Sequence, residues 1–439
     1  MNGFARLFFL ACLTTAIYFI AKRIMRIRRN ILLGRRVRTD GPHSARLKNM
    51  LLVALGQKKM FKKPIPAILH LFIYTGFLIV NIEMLEIVID GIAGTHRIFA
   101  PYMGSTYSWL INVFEFFALA VIISCIIFLI RRNVLHLSRF SGTEMTRKPL
   151  LDANIILVAE ILLMIAFLSM NAADMVLQNR GMEHYVKTSG FILSGTIAPM
   201  FSEVGNGTLQ IIERFCWWFH ILGVFLFANY VFGNSKHLHI FLAFPNTWYS
   251  RLQPAGSIHN IPAVTREVQS MLGLASENAP QENNDTARFG AKDVTDLTWI
   301  NILNAYSCTE CGRCTQQCPA NITGKKLSPR KIMMDVRNRA EEVGKNIALH
   351  GKDYDDGKSL LGHYITDEEI LACTTCNACV EACPVNINPV EIIIQLRQYN
   401  ILEQSKAPQS WNMMFSNIEN NGAPWKFPQS DRAQWMEKV

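Results

Sequence analysis

The sequence predicts an all-α protein made of a five-helix transmembrane bundle followed by a smaller, mainly helical domain. Composition is the first observation behind this prediction. Half of the 439 residues are hydrophobic and only 18% are charged, whereas soluble proteins carry about 25% charged residues. The second is the order of features along the chain, in which the long apolar stretches come first and two cysteine clusters follow in a more polar region.

Five apolar stretches are long enough to cross a bilayer, which takes about 20 residues as a helix. We place the spans at residues 4–21, 67–90, 108–130, 153–177 and 210–233. Together with their loops they form a predicted membrane domain over residues 1–245. The first span is interpreted as an uncleaved anchor and not as a signal peptide, because a run of basic residues follows its apolar core at once.

The charges of the loops predict the orientation of the spans. The loop 22–63 contains 14 Lys and Arg residues against one acidic residue, and the loop 131–150 contains five Lys and Arg residues. By the positive-inside rule, both loops lie in the cytoplasm and the N-terminus lies outside. We therefore expect a multi-pass protein of the bacterial inner membrane, with everything after residue 233 in the cytoplasm.

The net charge of +10 does not indicate a nucleic-acid-binding protein. The loop 22–63 alone contributes 14 − 1 = +13. The region 234–439 contains 20 basic and 22 acidic residues, which sum to −2. Because no basic surface is left for a nucleic acid, the charge is interpreted as an orientation signal that faces anionic lipid.

The region after the last span divides into three predicted segments. A polar stretch at 275–286 lies within a predicted linker, residues 246–295. Two repeats of helix, cysteine loop and helix then form a domain over residues 296–403, with a capping box at Thr366 before the second cysteine loop. The tail, residues 404–439, is predicted to dock a partner.

Each cysteine cluster has the spacing C-x2-C-x2-C-x3-C-P, which is that of bacterial ferredoxins with two [4Fe–4S] clusters. Three thiolates in one loop each reach a different iron, whereas the fourth points to the other cluster. The predicted ligands are Cys308, Cys311, Cys314 and Cys383 for the first cluster, and Cys373, Cys376, Cys379 and Cys318 for the second. The alternative is structural zinc, which generally uses two separated ligand pairs. Disulfides are disfavoured in a cytoplasmic segment.

Histidines in the apolar spans are candidate haem ligands. His70 lies in the second span, His220 lies in the fifth, and His237 and His239 close the fifth. Facing histidines from two helices are how a bundle holds a b-type haem; the alternative is a ring that hydrogen-bonds a neighbouring helix. By depth, His70 pairs with His237 or His239. His220 lies roughly 18 Å deeper in the membrane than His70. At that depth two interpretations stay open: a second haem with another ligand, or a quinone pocket.

Charged residues elsewhere leave two interpretations open. The acidic residues within the spans are Glu83, Glu86, Glu115, Glu160 and Glu213. They either carry protons near a quinone or form paired structural groups, as Glu213 does with Arg214. The basic residues after the first cysteine loop are Lys325, Lys326, Arg330 and Lys331. They either offset the charge of the clusters or form a solvated helix face, and the solvated face is favoured for most of them.

The motifs carry a resemblance to known families. The segments CTECGRCTQQCPA and CTTCNACVEACPV, with 54 residues between Cys318 and Cys373, resemble the α-helical ferredoxin domains of heterodisulfide reductase C subunits and succinate dehydrogenase iron–sulfur subunits. The bundle resembles the five-helix γ subunit of respiratory nitrate reductase, whose haem ligands lie on the second and fifth helices. The whole chain, including SKHLHI and IENNGAPWKFPQSDRAQW, resembles membrane iron–sulfur oxidoreductases of the heterodisulfide reductase-like type, including quinone reductases that accept electrons from electron-transfer flavoprotein.

The resemblance implies a function. It implies an oxidoreductase subunit of a respiratory chain that passes electrons between a cytoplasmic partner and menaquinone or ubiquinone. The implied cofactors are two [4Fe–4S] clusters and one haem b, with a second haem left open. Longer family members continue into a cysteine-rich CCG-type domain, so the implied partner is a separate CCG-type subunit or electron-transfer flavoprotein. The alternatives are a quinol-oxidising subunit that drives reduction of a cytoplasmic disulfide, and a non-catalytic, redox-sensing membrane anchor.

Overall fold

The computed structural model of the chain describes residues 3–39, 41–188, 190–233, 235–258, 260–274 and 289–437. Within these ranges the fold is helical and contains no strand, which confirms the predicted all-α class. The helices are α1 (Gly3–Ile31), α2 (His43–Met50), α3 (Pro64–Ala93), α4 (Ala100–Met103), α5 (Ser105–Asn133), α6 (Arg147–Asn179), α7 (Ile192–Ile197), α8 (Asn206–Val231), α9 (His239–Tyr249), α10 (Pro262–Met271), α11 (Trp299–Tyr306), α12 (Arg313–Gln316), α13 (Pro319–Ile322), α14 (Pro329–His350), α15 (Asp367–Leu371), α16 (Ala378–Ala382), α17 (Pro389–Gln398) and α18 (Gln409–Asn421).

Five of these helices, α1, α3, α5, α6 and α8, are long and apolar enough to cross a membrane. Each contains one of the predicted spans, although α8 ends at Val231, two residues before the predicted end. The largest difference is in α1, which continues to Ile31, ten residues past the predicted end at residue 21. Lys and Arg are good helix formers, so the basic run prolongs the helix beyond its apolar part.

The spans pack in chain order from α3 through α5 and α6 to α8, and α1 packs against α3 and α8. Small residues allow two of these close approaches. A Cβ on Gly91 of α3 would lie 2.5 Å from the ring of Phe9 in α1, and one on Gly76 would lie 2.8 Å from Val121 in α5. Close packing at small residues is the usual way in which helices associate inside a membrane.

The cysteine-containing domain, defined here as residues 289–403, shares a hydrophobic core with the end of α1. Ile27 and Ile31 pack into the same core as α11, α14 and α17. Beside them, the amide of Asn30 donates to the hydroxyl of Tyr306 at 3.0 Å. The first membrane helix therefore continues into this domain and fixes it at one end of the bundle.

The two basic loops lie at this same end of the bundle. The loop 22–63 follows α1 and the loop 131–150 joins α5 to α6, and both contact the cysteine-containing domain. The basic loops and the cysteines therefore share one side, as loop charge and chain order predict. The compartment that this side faces stays a prediction.

The predicted domain boundaries are not decided by these contacts. The predicted linker stretch 275–286 lies outside the described residues. Residues 289–295, the last part of the predicted linker, pack into the core of the cysteine-containing domain through Ala291 and Val294. In the tail, α18 buries none of its residues, and its apolar side chains Met413, Phe415 and Ile418 are exposed.

Candidate functional site

The two cysteine loops have the same backbone shape. Left-handed φ angles occur on both sides of the second cysteine, at Glu310 and Gly312 in the first loop and at Thr375 and Asn377 in the second. In each loop, the N–H of the residue before the second cysteine donates to the Sγ of the first, at 3.4 Å and 3.3 Å. Left-handed φ is unfavourable for Glu and Thr, and such strain concentrates at functional sites.

Two cavities are lined by cysteine thiols. The first thiol cavity is lined by Cys308, Cys311, Cys314 and Cys383, together with Cys379. The second thiol cavity is lined by Cys318, Cys373, Cys376 and Cys379. Cys379 lines both cavities. Apart from its contact with the first cavity, each cavity takes three thiols from one motif and a fourth from the other motif, which is the crossed arrangement that the spacing predicts.

The thiols fit a cluster better than a single metal ion. All eight cysteines of the two motifs are free thiols, and among the described residues no three His, Cys, Asp or Glu side chains converge on one ion position. Zinc requires its thiolates about 2.3 Å from one ion, whereas a cubane takes each thiolate on a different iron. Burial raises the pKa of Cys383 to about 11, so binding of a cluster must release its proton.

The first thiol cavity lies against the membrane domain. Arg330, which lines this cavity, donates from Nε and Nη2 to the Glu144 carboxylate at 2.9 and 2.8 Å, and from Nη1 to the Arg139 carbonyl. Gly312 makes room for this contact, because a Cβ there would lie 2.7 Å from both Arg330 and the Arg139 carbonyl.

The prediction of a solvated helix face is therefore wrong for Arg330. Its side chain is 1% exposed, because the loop between α5 and α6 covers it. Lys331 is partly buried and pairs with Asp335 at 2.8 Å. Lys325, which is exposed, and Lys326, which pairs with Glu368 at the surface, fit the predicted solvated pattern.

The lining residues of the second thiol cavity all lie between residues 318 and 393, in the cysteine-containing domain. Cys376, one of its four thiols, is exposed. A separate protein can therefore approach this cavity at Cys376.

A short segment before α3, residues 57–63, contacts the cysteine motifs and a candidate haem ligand. The Nζ of Lys59 donates to the Val380 carbonyl at 3.1 Å and to Asn386 at 2.9 Å, and burial lowers the pKa of this lysine. The Oε1 of Gln57 lies 3.1 Å from the Nδ1 of His70. The first turn of α3 thereby places His70 close to the first thiol cavity.

His70 and His239 face each other at this end of the bundle. Their ring centroids are 6.2 Å apart. Two imidazoles bound on opposite sides of one metal, each with a metal–nitrogen distance of about 2 Å, place their centroids about 6 Å apart. The Nδ1 of His239 lies 3.0 Å from the Lys236 carbonyl. With Nδ1 engaged on both rings, Nε2 is the nitrogen that each ring offers to a metal.

The other two histidines occupy different positions. The ring of His237 lies 5.7 Å from that of His239 and packs on Phe227, and burial lowers the pKa of His237 to about 3, so its ring is neutral. His220 stays apart, with its Nδ1 2.9 Å from the Leu163 carbonyl. The structure brings three of the four predicted residues together. His237 and His239 lie beyond the fifth span, because α8 ends at Val231.

A buried polar cluster at the opposite end of the bundle was not predicted. Its centre is Arg97, which donates to Asp174 at 2.5 Å, to the hydroxyl of Tyr107 at 3.0 Å and to Asn171 at 2.7 Å. The hydroxyl of Tyr107 donates to Glu86 at 2.7 Å. We call these five residues the Arg97 cluster. The available signal was that Arg97 is the sole Lys or Arg in the loop 91–107, directly beside spans that contain acidic residues.

These features define the class of protein: a helical chain with five helices of membrane-spanning length and a 4Fe–4S dicluster domain. The family description that matches residues 307–387 is 4Fe–4S dicluster domain, and this range contains both cysteine motifs. No solved structure matches the chain.

Curated relatives match most or all of the chain. It is 28% identical to the probable iron–sulfur-binding oxidoreductase FadF of Bacillus subtilis, over 100% of this chain and 62% of that protein. It is 25% identical to the EtfAB:quinone oxidoreductase of Syntrophomonas wolfei, over 90% of this chain and 54% of that protein. A third of the chain also matches the dihydromethanophenazine:CoB–CoM heterodisulfide reductase of Methanosarcina acetivorans: its D polypeptide is 30% identical over 33% of this chain and 36% of its own length. The relatives confirm the resemblance to iron–sulfur oxidoreductases.

Proposed function

We propose that this chain is the membrane-bound electron-transfer subunit of an oxidoreductase, and that it passes electrons between a cytoplasmic redox partner and the quinone pool. The observation that carries the proposal is the segment 57–63, which contacts the second cysteine motif through Lys59 and His70 through Gln57. Electrons would pass between the partner, the second thiol cavity, the first thiol cavity, the histidine pair and the quinone. Such a path needs its redox centres close together. The segment 57–63 contacts both the second cysteine motif and His70, and so would keep the clusters and the histidine pair near each other.

The eight motif cysteines are the proposed ligands of two [4Fe–4S] clusters. Cys308, Cys311, Cys314 and Cys383 hold the first, and Cys373, Cys376, Cys379 and Cys318 hold the second. The clusters supply one-electron transfer when bound. The residues around them hold the thiols in place, donate N–H groups to sulfur and exclude water from the first cavity.

His70 and His239 are the proposed ligands of one haem b. The centroid distance and the two engaged Nδ1 atoms support this pair over a pair with His237. Among the described residues, His220 meets no second histidine, which supports one haem over two. The proposed role of His220 is structural, because its Nδ1 binds the Leu163 carbonyl and so ties α8 to α6.

The partner is proposed to dock beside the second thiol cavity, where Cys376 is exposed. The proposed partner is electron-transfer flavoprotein or a separate CCG-type iron–sulfur subunit. Similarity to a protein named EtfAB:quinone oxidoreductase supports the flavoprotein, and the exposed apolar face of α18 in the tail offers a second docking surface. The proposed location is the bacterial inner membrane, with the clusters in the cytoplasm and the N-terminus outside, because the basic loops share a side with the cysteines.

Spectroscopy of the purified full-length protein tests the proposal. Dithionite is expected to give the sharp α-band of a reduced b-type haem, and a menaquinol analogue is expected to produce the same band. His70→Ala and His239→Ala are expected to lose the band, whereas His220→Ala and the exposed control His136→Ala are expected to keep it. A wild-type protein without haem would make the membrane part of the proposal wrong.

The direction of electron flow is a separate measurement. Reduced electron-transfer flavoprotein is mixed with the oxidised protein and a quinone in one experiment, and quinol with a disulfide substrate of a CCG-type partner in the other. We expect the first pair to react. Reaction of the second pair alone would show that the chain oxidises quinol and drives reduction of a disulfide.

A further inference from the structure

The end of the bundle away from the cysteine-containing domain holds more buried acidic groups than basic ones. The buried carboxyl groups at this end are Glu83, Glu86, Asp90, Glu115, Asp174 and Glu213. The cations that face them are Arg97 and Arg214. Six carboxylates against two cations would leave a net charge of 2 − 6 = −4 inside the bundle. A charge of that size is too costly in a membrane interior, so several of these groups hold protons.

Two of these carboxyl groups accept hydrogen bonds from the backbone. Asp90 accepts hydrogen bonds from the backbone N–H groups of Arg97 and Ile98 at 2.8 and 3.2 Å. Glu115 accepts the N–H groups of Leu193 and Ser194 at 3.0 and 3.1 Å. These donors satisfy the buried oxygens of both groups.

Two other carboxyl groups each have a buried oxygen without a partner. Among the described residues, Oε2 of Glu83 and Oδ1 of Asp174 have no hydrogen-bond partner, although these residues are only 4% and 1% exposed. A buried polar atom without a partner is costly, and more so when the group is charged. A proton on Glu83, or a proton donor bound at its unpaired oxygen, would remove this cost.

Arg97 is the cation that faces Glu83, and the Arg97 cluster extends from there towards the surface. Glu83 precedes Glu86 by three residues on α3, so both lie on the same side of the helix. Beyond the cluster, the Nε2 of His96 lies 3.6 Å from the Oδ1 of Asp174. The ring of His96 lies 5.5 Å from that of His184, which is exposed.

We propose that the Arg97 cluster and Glu83 form a proton-exchange site, which exchanges the protons of quinone turnover with the side of the membrane away from the cysteine-containing domain. The proposal rests on the proposed quinone-linked function. Oxidation of a quinol releases two protons and two electrons. The histidine pair and the thiol cavities would hold the groups that accept the electrons, and Glu83, Asp174 and His96 would take up the protons and release them on the far side. Reduction of a quinone reverses both flows.

The distances along α3 suit this role. Glu83 lies 13 residues beyond His70 (83 − 70 = 13), or about 20 Å at 1.5 Å per residue. A quinone bound at a depth between His70 and Glu83 would have the histidine pair on one side and the Glu83 carboxyl group on the other. The groups that face Glu83 from the packed elements are Glu86 on α3, Arg97 in the following loop and Glu115 on α5; around Arg97 and His96 they are Asp90, Tyr107, Asp174, His184, Tyr185, Glu213 and Arg214.

The test uses the full-length protein in proteoliposomes with a trapped pH dye. Glu83→Gln removes the titratable group, Glu83→Asp restores it, and Glu203→Gln is the matched control, an exposed acid in the loop at the same end. We expect Glu83→Gln to keep the dithionite-reduced spectra of haem and clusters. Quinol-dependent reduction of the haem and proton exchange on the far side are both expected to slow about 100-fold, at the lower end of what a positioned proton donor contributes.

Infrared difference spectra distinguish a proton-exchanging Glu83 from a Glu83 with a purely structural role, whose carboxyl signal would not change during turnover. We expect the carbonyl stretch of a protonated carboxylic acid to change when quinol reduces the wild-type protein, to disappear in Glu83→Gln and to persist in Glu203→Gln. His184→Ala, a surface change that leaves the core intact, is expected to slow proton exchange without altering the band.

The outcomes separate the two proposals. A Glu83→Gln protein that oxidises quinol and exchanges protons at the wild-type rate overturns the proton-exchange site and leaves the electron path standing. Protons that appear on the side of the cysteine-containing domain overturn it as well. A wild-type protein that does not react with quinol shows that the quinone-linked function is wrong, and the proton coupling is wrong with it.

Discussion

Replacing Arg330 by Met tests whether the two parts of the chain are fastened by a buried ion pair. Met keeps the apolar stem but removes the guanidinium, so the Glu144 carboxylate, whose side chain is 7% exposed, loses two hydrogen bonds and its counter-charge. Removing one partner of a buried pair costs about 3–5 kcal/mol. For a domain of about 115 residues (403 − 289 + 1), 1 kcal/mol corresponds to about 4 °C in the unfolding temperature. We therefore expect Arg330→Met to lower the unfolding temperature by roughly 15 °C.

The assay follows bleaching of the iron–sulfur absorbance as the purified protein is heated in detergent. The matched control is Lys326→Met, which breaks an exposed pair with Glu368 and should cost less than about 1 kcal/mol. The double variant Arg330→Met/Glu144→Met leaves no unpaired charge and should recover most of the loss. If Arg330→Met unfolds at the same temperature as Lys326→Met, the buried pair does not fasten the domain and the reasoning is refuted.

The same ion pair has a pH dependence of known sign. Burial alone would raise the pKa of Glu144, but the Ser328 hydroxyl and the Arg330 guanidinium together outweigh burial and lower it. A lowered pKa means that the folded protein binds the proton less tightly than the unfolded chain does. The stabilisation is therefore complete above the ordinary glutamate pKa of 4.5 and is lost as pH falls through the folded value.

Three further predictions concern other contacts of the same domain. Gly344→Ala forces a Cβ into the side-chain amide of Asn30 and should cost about 1–3 kcal/mol, measured by the same thermal bleaching, whereas Gly256→Ala, with open space around it, should leave stability unchanged. Glu310 lies near two cations that lower its pKa to about 2, against the effect of burial. Iron–sulfur absorbance should therefore be lost progressively as the pH falls from 4.5 towards 2. A loss that is already complete above about pH 5 would contradict this prediction. Cys376→Ser removes an exposed thiol of the second thiol cavity and should abolish one of two cluster signals in electron paramagnetic resonance, while loss of both would show that the cavities do not bind separately.

The five spans could be predicted from the sequence because they depend on short-range patterns. The ligand set of each cluster rests on the same kind of pattern and stays a prediction. Apolar stretches of about 20 residues have few alternatives to a membrane helix. The spacing of the cysteine motifs predicts that Cys383 joins the cavity of Cys308, and the structure places it there. The depth of His70 likewise predicted that it would meet His237 or His239.

Contacts between distant segments were not predictable in the same way. Arg330 and Glu144 are 186 residues apart in the sequence. Both are charged residue types that usually lie at the solvated surface. Arg97 was assigned to a loop, yet it is buried among three helices because acidic side chains from α3 and α6 surround it. In both cases the arginine is buried because oppositely charged side chains from distant segments surround it. No local sequence pattern indicates such a contact.

The contacts between the two parts suggest why the electron path needs both on one chain. α1 shares the core of the cysteine-containing domain through Ile31, and Lys59 binds the second cysteine motif just before α3 begins. A displacement of this domain would therefore shift the loop that carries Gln57 as well, and with it the hydrogen bond that orients His70. Holding the thiol cavities and the histidine pair to a common segment keeps their separation constant, which a detachable protein would not do. Cys376 of the second thiol cavity is exposed, and this is where we propose exchange with a separate protein.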